Sequence, residues 1–269
     1  MTSRPVRIPQ LRIAESIAET LRDRILSSDD GSEYRLPTQD QLVAEFGVSY
    51  PSVREAIRIL ETECLVTVRR GNVGGAEIHR PDESSAAYHL GLALQGGRVS
   101  LGDLAAGLQE LEPTCAAACA RREDRMETVV PVLRANIEAS AELVGAGPAF
   151  THTAREFHDL VVAGNPNDTI RYVVGSLVAL WSAQEERWAR SQASRDRYPS
   201  DVDTREVIRA HRRMLKEIES GNADKAEQIA RAHLVATQAF LVDRFDDGVV
   251  ASRRVRGPVA DRASAPWRI

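Results

Sequence analysis

Two histidines, His211 and His233, are spaced so that their imidazole rings can face one cavity. His211 lies ten residues before Gly221, and His233 lies eleven residues after Asn222. If these segments are helices joined at that turn, a rise of about 1.5 Å per residue puts both rings roughly 15 Å from it. His158 belongs to another segment. Imidazole nitrogens form hydrogen bonds or bind metals, so polar cavity residues and hydrogen-bonded core histidines both fit this pattern.

Arginine carries nearly all of the positive charge. The net charge is −4, and residues 1–80 hold eleven Arg, no Lys and twelve Asp or Glu. Affinity for a polyanion such as DNA must therefore come from the placement of individual arginines rather than from bulk charge. The candidates are Arg54, Arg58, Arg69 and Arg70. Arginine favours bidentate contacts to phosphate or guanine, although a GC-rich genome would produce the same composition.

Residues 36–63 predict two short helices joined by a tight turn. Thr38 can cap the first helix, and Gln41 is placed to close a capping box. Gly47 suits the left-handed position that ends this helix, and Ser49 begins the second. Apolar residues then recur at helical spacing. The pattern is typical of a helix-turn-helix.

A predicted hairpin follows the two helices. Residues 65–70 alternate apolar and polar side chains, and residues 74–78 can return as a partner strand across a turn at Gly71-Asn72. Residues 11–26 predict an amphipathic helix that packs beneath the pair. A helix-turn-helix followed by a hairpin is a winged helix. A small helical domain with an incidental hairpin is the alternative.

The stretch LPTQDQLVAEFGVSYPSVREAIRILETECLVTVRRGNVGG resembles the DNA-binding domain of GntR-superfamily transcription regulators, over residues 11–80. The resemblance implies a homodimer that reads a palindromic double-stranded DNA operator with the helix that begins at Ser49. Asp40 and Tyr50 stand where the family commonly has arginine, so the family's usual operator is not expected. Cys64 stands at the helix exit where the family usually has glycine, so either the exit is rebuilt or some strain is accepted. The predicted DNA-contacting residues are Thr38, Asp40, Ser49, Tyr50, Ser52, Arg54, Arg58, Arg69, Arg70 and Asn72.

The remainder of the chain predicts a second, all-helical unit. Helical segments fall near residues 84–96, 100–121, 124–144, 148–163, 167–193, 201–219 and 223–246, with Gly, Pro and Asn at the breaks. The fold class expected is mainly α. We expect a winged helix-turn-helix DNA-binding domain at 1–80, a linker at 81–86, a helical effector-binding and dimerisation bundle at 87–247, and a flexible Arg-rich tail at 248–269.

Composition favours a cytoplasmic protein without a membrane partner. No apolar run approaches the roughly 20 residues of a membrane span, and the N-terminus lacks the apolar segment of a signal peptide. The three cysteines include no CxxC pair, which fits a reducing compartment. The chain shows no HExxH motif, nucleophile elbow or phosphate loop, so an enzyme is not expected.

Leu111-Glu112-Pro113, Phe157-His158 before Gly164-Asn165, and the pair His211 and His233 resemble the FCD effector domain of the FadR-type branch. That resemblance implies a divalent metal, such as zinc or nickel, bound by His158, His211 and His233. The family's carboxylate ligand, four residues before the first histidine, is replaced by Ala154. Three imidazoles and water would then complete the site. A metal-free cavity stays open as the alternative.

The same resemblance implies a small-molecule effector that alters DNA affinity by binding two dimer arrangements unequally. Leu108 stands where the family often has arginine, so both an organic acid and a more apolar acyl ligand are considered. The predicted pocket residues are Leu108, Glu112, Arg155 and Met214. The function expected is a ligand-responsive transcription regulator, most often a repressor in this family. A metal-sensing regulator and a metal-dependent enzyme are the alternatives.

Overall fold

Residues 10–27, 35–69, 75–79, 81–195, 197–242 and 248–251 are described by the structure, a computed structural model. They belong to two units that divide between Asp82 and Glu83. Within these ranges, no helix combines the length and the apolar character that a membrane span requires.

The N-terminal unit is a winged helix-turn-helix. It contains α1 (Gln10–Ser27), α2 (Gln39–Phe46), α3 (Tyr50–Thr62), β1 (Val66–Arg69) and β2 (Gly75–Ile78). The two strands are antiparallel, with Val66 opposite Ile78 and Arg69 opposite Gly75. The predicted helices and the predicted strand pair are confirmed. The turn predicted at Gly71-Asn72 lies outside the described residues.

Local hydrogen bonds set the ends of α2. The Thr38 side chain accepts from the Gln41 backbone N–H, and the Gln41 side chain accepts from the Thr38 N–H, which confirms the capping box. Gly47 ends the helix at φ 63°, a conformation that glycine adopts without the steric cost of a Cβ atom. Cys64 takes φ 64° after α3. This cysteine therefore accepts the left-handed strain that a glycine would avoid.

The core of this unit lies between α1 and α3. Ala14, Ile17, Leu21 and Ile25 are buried along one face of α1, as their spacing predicts. An Arg22–Glu63 ion pair with two hydrogen bonds, at 2.8 and 2.6 Å, ties α1 to the end of α3. Apolar burial and this bidentate contact together fix the angle at which α3 is presented.

The C-terminal unit is all helical. Its elements are α4 (Glu83–Gly96), α5 (Leu101–Arg121), α6 (Arg125–Thr128), α7 (Val130–Glu142), α8 (Pro148–Ala163), α9 (Asp168–Ala193), α10 (Asp201–Glu219) and α11 (Ala223–Val242). The helix predicted at 124–144 is divided at Val129. Pro131 explains the division, because it has no N–H to bond back to the preceding turn.

Two predicted boundaries are wrong. Residues 83–86, expected in a linker, already form the first turn of α4. Residues 248–251, expected in a flexible tail, pack on the helical unit: Val250 is buried, and its N–H donates to the Val99 carbonyl at 3.0 Å. An apolar side chain and paired backbone groups hold this segment. The rest of the predicted tail lies outside the described residues.

Helix α5 contacts α11 on one side and the end of α8 on the other, and its own residues explain both contacts. Pro113, inside the helix, cannot donate to the carbonyl of Gln109, and Arg231 from α11 donates to that carbonyl at 2.6 Å. On the other side, a Cβ atom at Gly164 would lie 2.7 Å from Cys119 Sγ. Glycine and small α5 side chains therefore let the end of α8 approach α5 closely, which brings Glu112 next to His158.

Replacing Leu108 by alanine should lower the free energy of unfolding of the helical unit by about 2–5 kcal/mol, because a buried cavity is left. Leu108 is 0% exposed, whereas Leu111 on the same helix is 40% exposed. Leu111→Ala is the matched control and should change the value by less than about 1 kcal/mol. Urea titration followed by tryptophan fluorescence measures this unit, since Trp181, Trp188 and Trp267 all follow residue 82. Equal losses in the two variants would contradict the packing.

Candidate functional site

The N-terminal end of α3 presents an exposed polar face. Tyr50, Arg54 and Arg58 are exposed, and Arg58 is bonded to Glu55 at 3.2 Å, one turn away. Arg58 therefore lies along the helix in an ion pair with Glu55, whereas Arg54 is exposed on the same face. Arg58 makes this ion pair within the helix, with its side chain largely exposed.

Ser52 corrects one sequence prediction. Its side chain is buried, and its hydroxyl lies 3.1 Å from the hydroxyl of exposed Ser49. Successive helical residues are rotated by about 100°, so Ser52 can be buried while Ser49 stays exposed at the helix start. Ser52 therefore supports the exposed face from beneath and does not belong to it.

Asp40 and Tyr50 contact each other across the turn between α2 and α3. The hydrogen bond to the Asp40 carboxylate, together with its negative charge, raises the pKa of the Tyr50 hydroxyl. The hydroxyl therefore donates to the carboxylate, and the pair offers mainly acceptor oxygens to a partner. Tyr50 is 47% exposed. An acceptor pair at this position differs from the arginines of the family, which donate to guanine.

The strand pair carries another residue predicted to contact DNA. Arg69 bonds to Glu77 on the opposite strand at 2.8 Å, with more than half of its side chain exposed. Thr38 is exposed at the start of α2. Arg70 and Asn72, also predicted to contact DNA, lie outside the described residues.

In the helical unit, the structure brings together His211 and His233, as their spacing predicted, and His158, as the resemblance implied. His158, His211 and His233 each offer a ligand nitrogen, and these nitrogens lie within 4.8 Å of one another. The Nε2 atoms of His211 and His233 are 3.1 Å apart. The Phe157 ring stacks on His211 at 3.9 Å between centroids and holds its plane. All three histidines are buried.

Burial determines the charge of two of these histidines. Burial lowers the pKa of His211 well below its usual value, and the charges of His233, His158 and Arg155 lower it further. For His233, burial again lowers the pKa, followed by the charges of His158 and Arg155. Both rings are therefore neutral near pH 7, with lone pairs available to a proton donor or a metal ion.

Glu112 fixes the third histidine. Its Oε1 accepts from Nδ1 of His158, and both side chains are about 4% exposed. Burial by itself raises the pKa of Glu112, but the charge and hydrogen bond of His158, helped by Arg155, lower it below its ordinary value. The carboxylate stays ionised. With Nδ1 held by Glu112, His158 turns its Nε2 edge away from the carboxylate.

A cavity of about 400 Å³ opens beside the histidines, within the range of small-molecule sites. His158 and His233 contribute to its wall. Apolar surface comes from Phe150, Trp188, Val207, Ile229 and Leu241, and charged surface from Arg155, Glu185, Asp203, Glu206 and Arg213. The walls come from α8, α9, α10 and α11 and from the segment that precedes α10.

The cavity contains only part of the predicted pocket. Arg155 lines it, as expected, and Glu112 stands behind His158. Leu108 and Met214 belong to the buried apolar core and are absent from the cavity wall. Leu108 occupies a position where the family often has arginine, but its own side chain is apolar and packs in the core.

Sequence reasoning missed several wall residues. The hydroxyls of Thr151 and Tyr198 are 2.5 Å apart at the wall, and Glu185 lies 3.5 Å from Arg155 Nε. Thr151, Ala154 and His158 follow one stripe of α8 at helical spacing. That stripe was the available signal for Thr151, whereas nothing local points to Tyr198 or Glu185.

Comparison with known families assigns both units. The chain matches the bacterial regulatory proteins of the gntR family over residues 13–73 and the FCD domain over residues 103–236. The chain belongs to the GntR family of transcription regulators and carries an FCD domain. The predicted family and fold class are confirmed, and families of this kind are regulators rather than enzymes.

Individual relatives agree with the assignment of this GntR-family chain. The HTH-type transcriptional repressors NanR of Escherichia coli (strain K12) and Shigella flexneri are each 23% identical over 249 residues, covering 89% of this chain and 87% of the relative. A solved structure of a Streptococcus agalactiae GntR superposes with a TM-score of 0.59 at 21% identity, covering 84% of this chain and 98% of that one. The structural likeness shows the shared fold.

Two of the three histidines of the FCD domain meet the spacing that a divalent ion requires, and the ligand nitrogens of all three lie within 4.8 Å of one another. A tetrahedral ion at about 2.0–2.1 Å from imidazole nitrogens needs ligands roughly 3.3 Å apart. The Nε2 atoms of His211 and His233 meet this separation at 3.1 Å. The contact from Glu112 to His158 is the usual outer support of a metal-bound imidazole. Neutral, buried nitrogens and an outer carboxylate therefore suit zinc or nickel.

The pKa values predict a loss of stability in mild acid. Unfolded histidine has a pKa of about 6.5, and His211 and His233 have lowered values in the folded chain. Below about pH 6.5 the unfolded state therefore binds protons that the folded state excludes. The free energy of unfolding should fall by up to about 1.4 kcal/mol per pH unit for each histidine, and should stay independent of both above that range.

Urea titrations between about pH 7.5 and 5.5 with EDTA present would measure this slope. His211→Gln should reduce it by about one proton. Leu111→Ala, which removes an exposed side chain that carries no titrating proton, is the control and should leave the slope unchanged. If the free energy of unfolding of His211→Gln depends on pH as steeply as that of the original chain, His211 is not a buried neutral histidine.

Proposed function

We propose that this transcription regulator is a cytoplasmic, ligand-responsive repressor. It binds a palindromic operator as a homodimer, and a small molecule in the cavity of the FCD domain controls its DNA affinity. The observation that carries the proposal is the combination in one chain of a winged helix-turn-helix and a separate helical unit with a buried, partly polar cavity. The name of the NanR relatives supports repression.

In this proposal α3 enters the major groove. Tyr50, Arg54 and Arg58 on its exposed face, with Ser49 at its start, contact base edges or phosphates, and Arg69 brings the strand pair to the backbone. The Asp40–Tyr50 acceptor pair favours a base amino group, on cytosine or adenine, and disfavours phosphate. One winged helix covers only part of a turn of DNA, so two copies related by a two-fold axis suit a palindrome.

A divalent ion on His158, His211 and His233 would anchor one end of the effector. Bound there, it would supply an open coordination position. The chain's own residues do the rest: Glu112 orients His158, Phe157 holds the plane of His211, and the apolar walls exclude water. The cavity beside the histidines has room for an organic molecule. This favours an ion that anchors such a ligand over an ion that is itself the regulatory signal.

The effector changes DNA affinity only by binding two arrangements of the dimer unequally. Helices α8, α10 and α11 supply cavity walls and also core residues of the unit. A ligand that alters their packing therefore alters the whole unit, which is how occupancy of the cavity would reach the dimer.

Arg54→Ala should weaken binding to the operator by about 1–3 kcal/mol, or roughly 5-fold to 150-fold, because one arginine contact is lost. If Arg54 contacts phosphate, the slope of log affinity against log salt should also fall by about one. Fluorescence anisotropy would measure both on a duplex selected from random DNA, and mass photometry would report the dimer on it.

The control for this measurement is Arg190→Ala, an exposed arginine of α9 in the other unit. It should bind the same duplex as tightly as the original chain. Unchanged affinity in Arg54→Ala would remove this residue from the interface. Failure to select any duplex, or one chain per duplex, would contradict the operator and dimer proposals.

The purified chain should carry about one divalent ion, measured by elemental analysis and native mass spectrometry. His211→Gln and His233→Gln should lose it, and Glu112→Gln should weaken its binding about 10–100-fold, because His158 loses its outer support. His152→Gln, outside the cluster, should retain the ion. An ion that persists in His211→Gln, or a chain that takes up no zinc or nickel, would refute this metal site.

A further inference from the structure

The first residue of α4 lies in a narrow contact with α9. Gly175, inside α9, is buried, and a Cβ atom at this position would lie 2.8 Å from Cγ and 3.4 Å from Cβ of Glu83. The next residue, Ser176, is 3% exposed. Its hydroxyl is shared between the backbone carbonyl of Glu83, at 3.3 Å, and that of Tyr172, at 2.6 Å. Gly175 and Ser176 together hold the start of α4, and they are named the Glu83 contact.

The close approach of Glu83 explains why a glycine stands at position 175. Glycine is unfavourable in the interior of a helix compared with alanine, and Gly175 lies well inside the 26-residue α9. Its φ angle is not positive, so no left-handed conformation requires it. Gly107, inside α5, differs from it, because a Cβ atom there would meet nothing within 4 Å. The reason for Gly175 is therefore the packing of α4 against α9.

Helix α9 is fixed on both sides of the Glu83 contact. Val174 and Val178 are 1% and 0% exposed. Farther along the helix, the buried side chain of Gln184 donates to the backbone carbonyl of Ala251 at 2.9 Å. Close-packed side chains resist displacement. The Glu83 contact therefore belongs to the rigid core of the helical unit.

The link that attaches the DNA-binding unit to Glu83 is short. The His79 N–H still donates to the Leu65 carbonyl of the DNA-binding unit at 2.8 Å, and the helical unit begins at Glu83. Residues 80–82 separate these two points, and proline at position 81 has a fixed φ angle. Four Cα–Cα steps cover at most about 14 Å. Glu83 is thus the point from which the DNA-binding unit is attached.

We propose that Gly175 and Ser176 are positioning residues for operator binding, because by holding Glu83 they set the spacing of the two half-sites that the dimer reads. This rests on the proposed function, in which two copies bind a palindrome. In such a dimer, a fixed point of attachment in each copy selects one separation of the half-sites. Neighbouring base pairs are about 3.4 Å apart and rotated by roughly 34–36°. A point of attachment released from α9 therefore tolerates several separations.

Fluorescence anisotropy on a series of duplexes tests this inference. The two selected half-sites keep their base sequence, and the separation between their centres changes by one or two base pairs in either direction. The original chain should bind its best separation at least about tenfold more tightly than one that differs by one base pair. Gly175→Ala should reduce this ratio at least about threefold, because the new Cβ atom displaces Glu83. Equal affinity of the original chain for all separations, or an unchanged ratio in Gly175→Ala, overturns the inference.

Further variants distinguish the Glu83 contact from a general loss of stability, which would weaken all separations alike. Glu83→Ala removes the Cγ atom that the new methyl group meets, so the double variant Gly175→Ala/Glu83→Ala should regain most of the ratio. Gly107→Ala is the matched control and should keep the ratio of the original chain. Failure of the double variant to regain the ratio contradicts the inference. If circular dichroism shows that Gly175→Ala is unfolded, Ser176→Ala replaces it under the same criterion.

The same measurements distinguish this inference from the function on which it rests. If no duplex is selected, or mass photometry shows one chain per duplex, the operator proposal fails and this inference fails with it. If two chains bind a palindrome with a spacing preference that Gly175→Ala leaves intact, the operator proposal stands and the Glu83 contact does not set the spacing. If the ratio falls in Gly175→Ala and returns in the double variant, both are supported.

Discussion

The buried contact between Glu112 and His158 is the constraint on which the helical unit depends. An ionised carboxylate in an apolar core is tolerated only when partners compensate it, so α5 and α8 must lie close together. Pro113, with its freed Gln109 carbonyl taken by Arg231, fixes α5, and Gly164 lets α8 approach it. The orientation of His158, and with it one end of the cavity, follows from this packing.

In the DNA-binding unit, several polar side chains near the start of α3 are bonded to each other. Ser52 is buried against Ser49, and the Tyr50 hydroxyl is held by Asp40. The exposed face of α3 therefore offers a few arginines beside an acceptor pair. In a segment with slightly more acids than arginines, specificity comes from the position of each group, because bulk attraction to phosphate is weak.

The cavity of the helical unit has a mixed wall, which matters for any regulatory role. Imidazoles, guanidinium groups and carboxylates lie beside large apolar side chains. A ligand with polar and apolar parts that match this wall binds in one orientation. It then contacts α8, α10 and α11 in a defined way. In the proposed function, unequal binding to two arrangements of these helices is the physical basis of control over the DNA-binding unit.

The sequence by itself determined the elements and their chemistry. Capping at Thr38, the left-handed Gly47 and the apolar periodicity of α1 act within a few residues, and the turn at Gly221-Asn222 sets His211 and His233 at equal heights. Only the tertiary structure decided that Ser52 is buried, that Leu108 and Met214 are core, that Val250 packs on the helices and that Arg155 lies beside Glu185. These outcomes depend on residues far apart in the chain, such as Glu185 and Tyr198, whose approach no local pattern encodes.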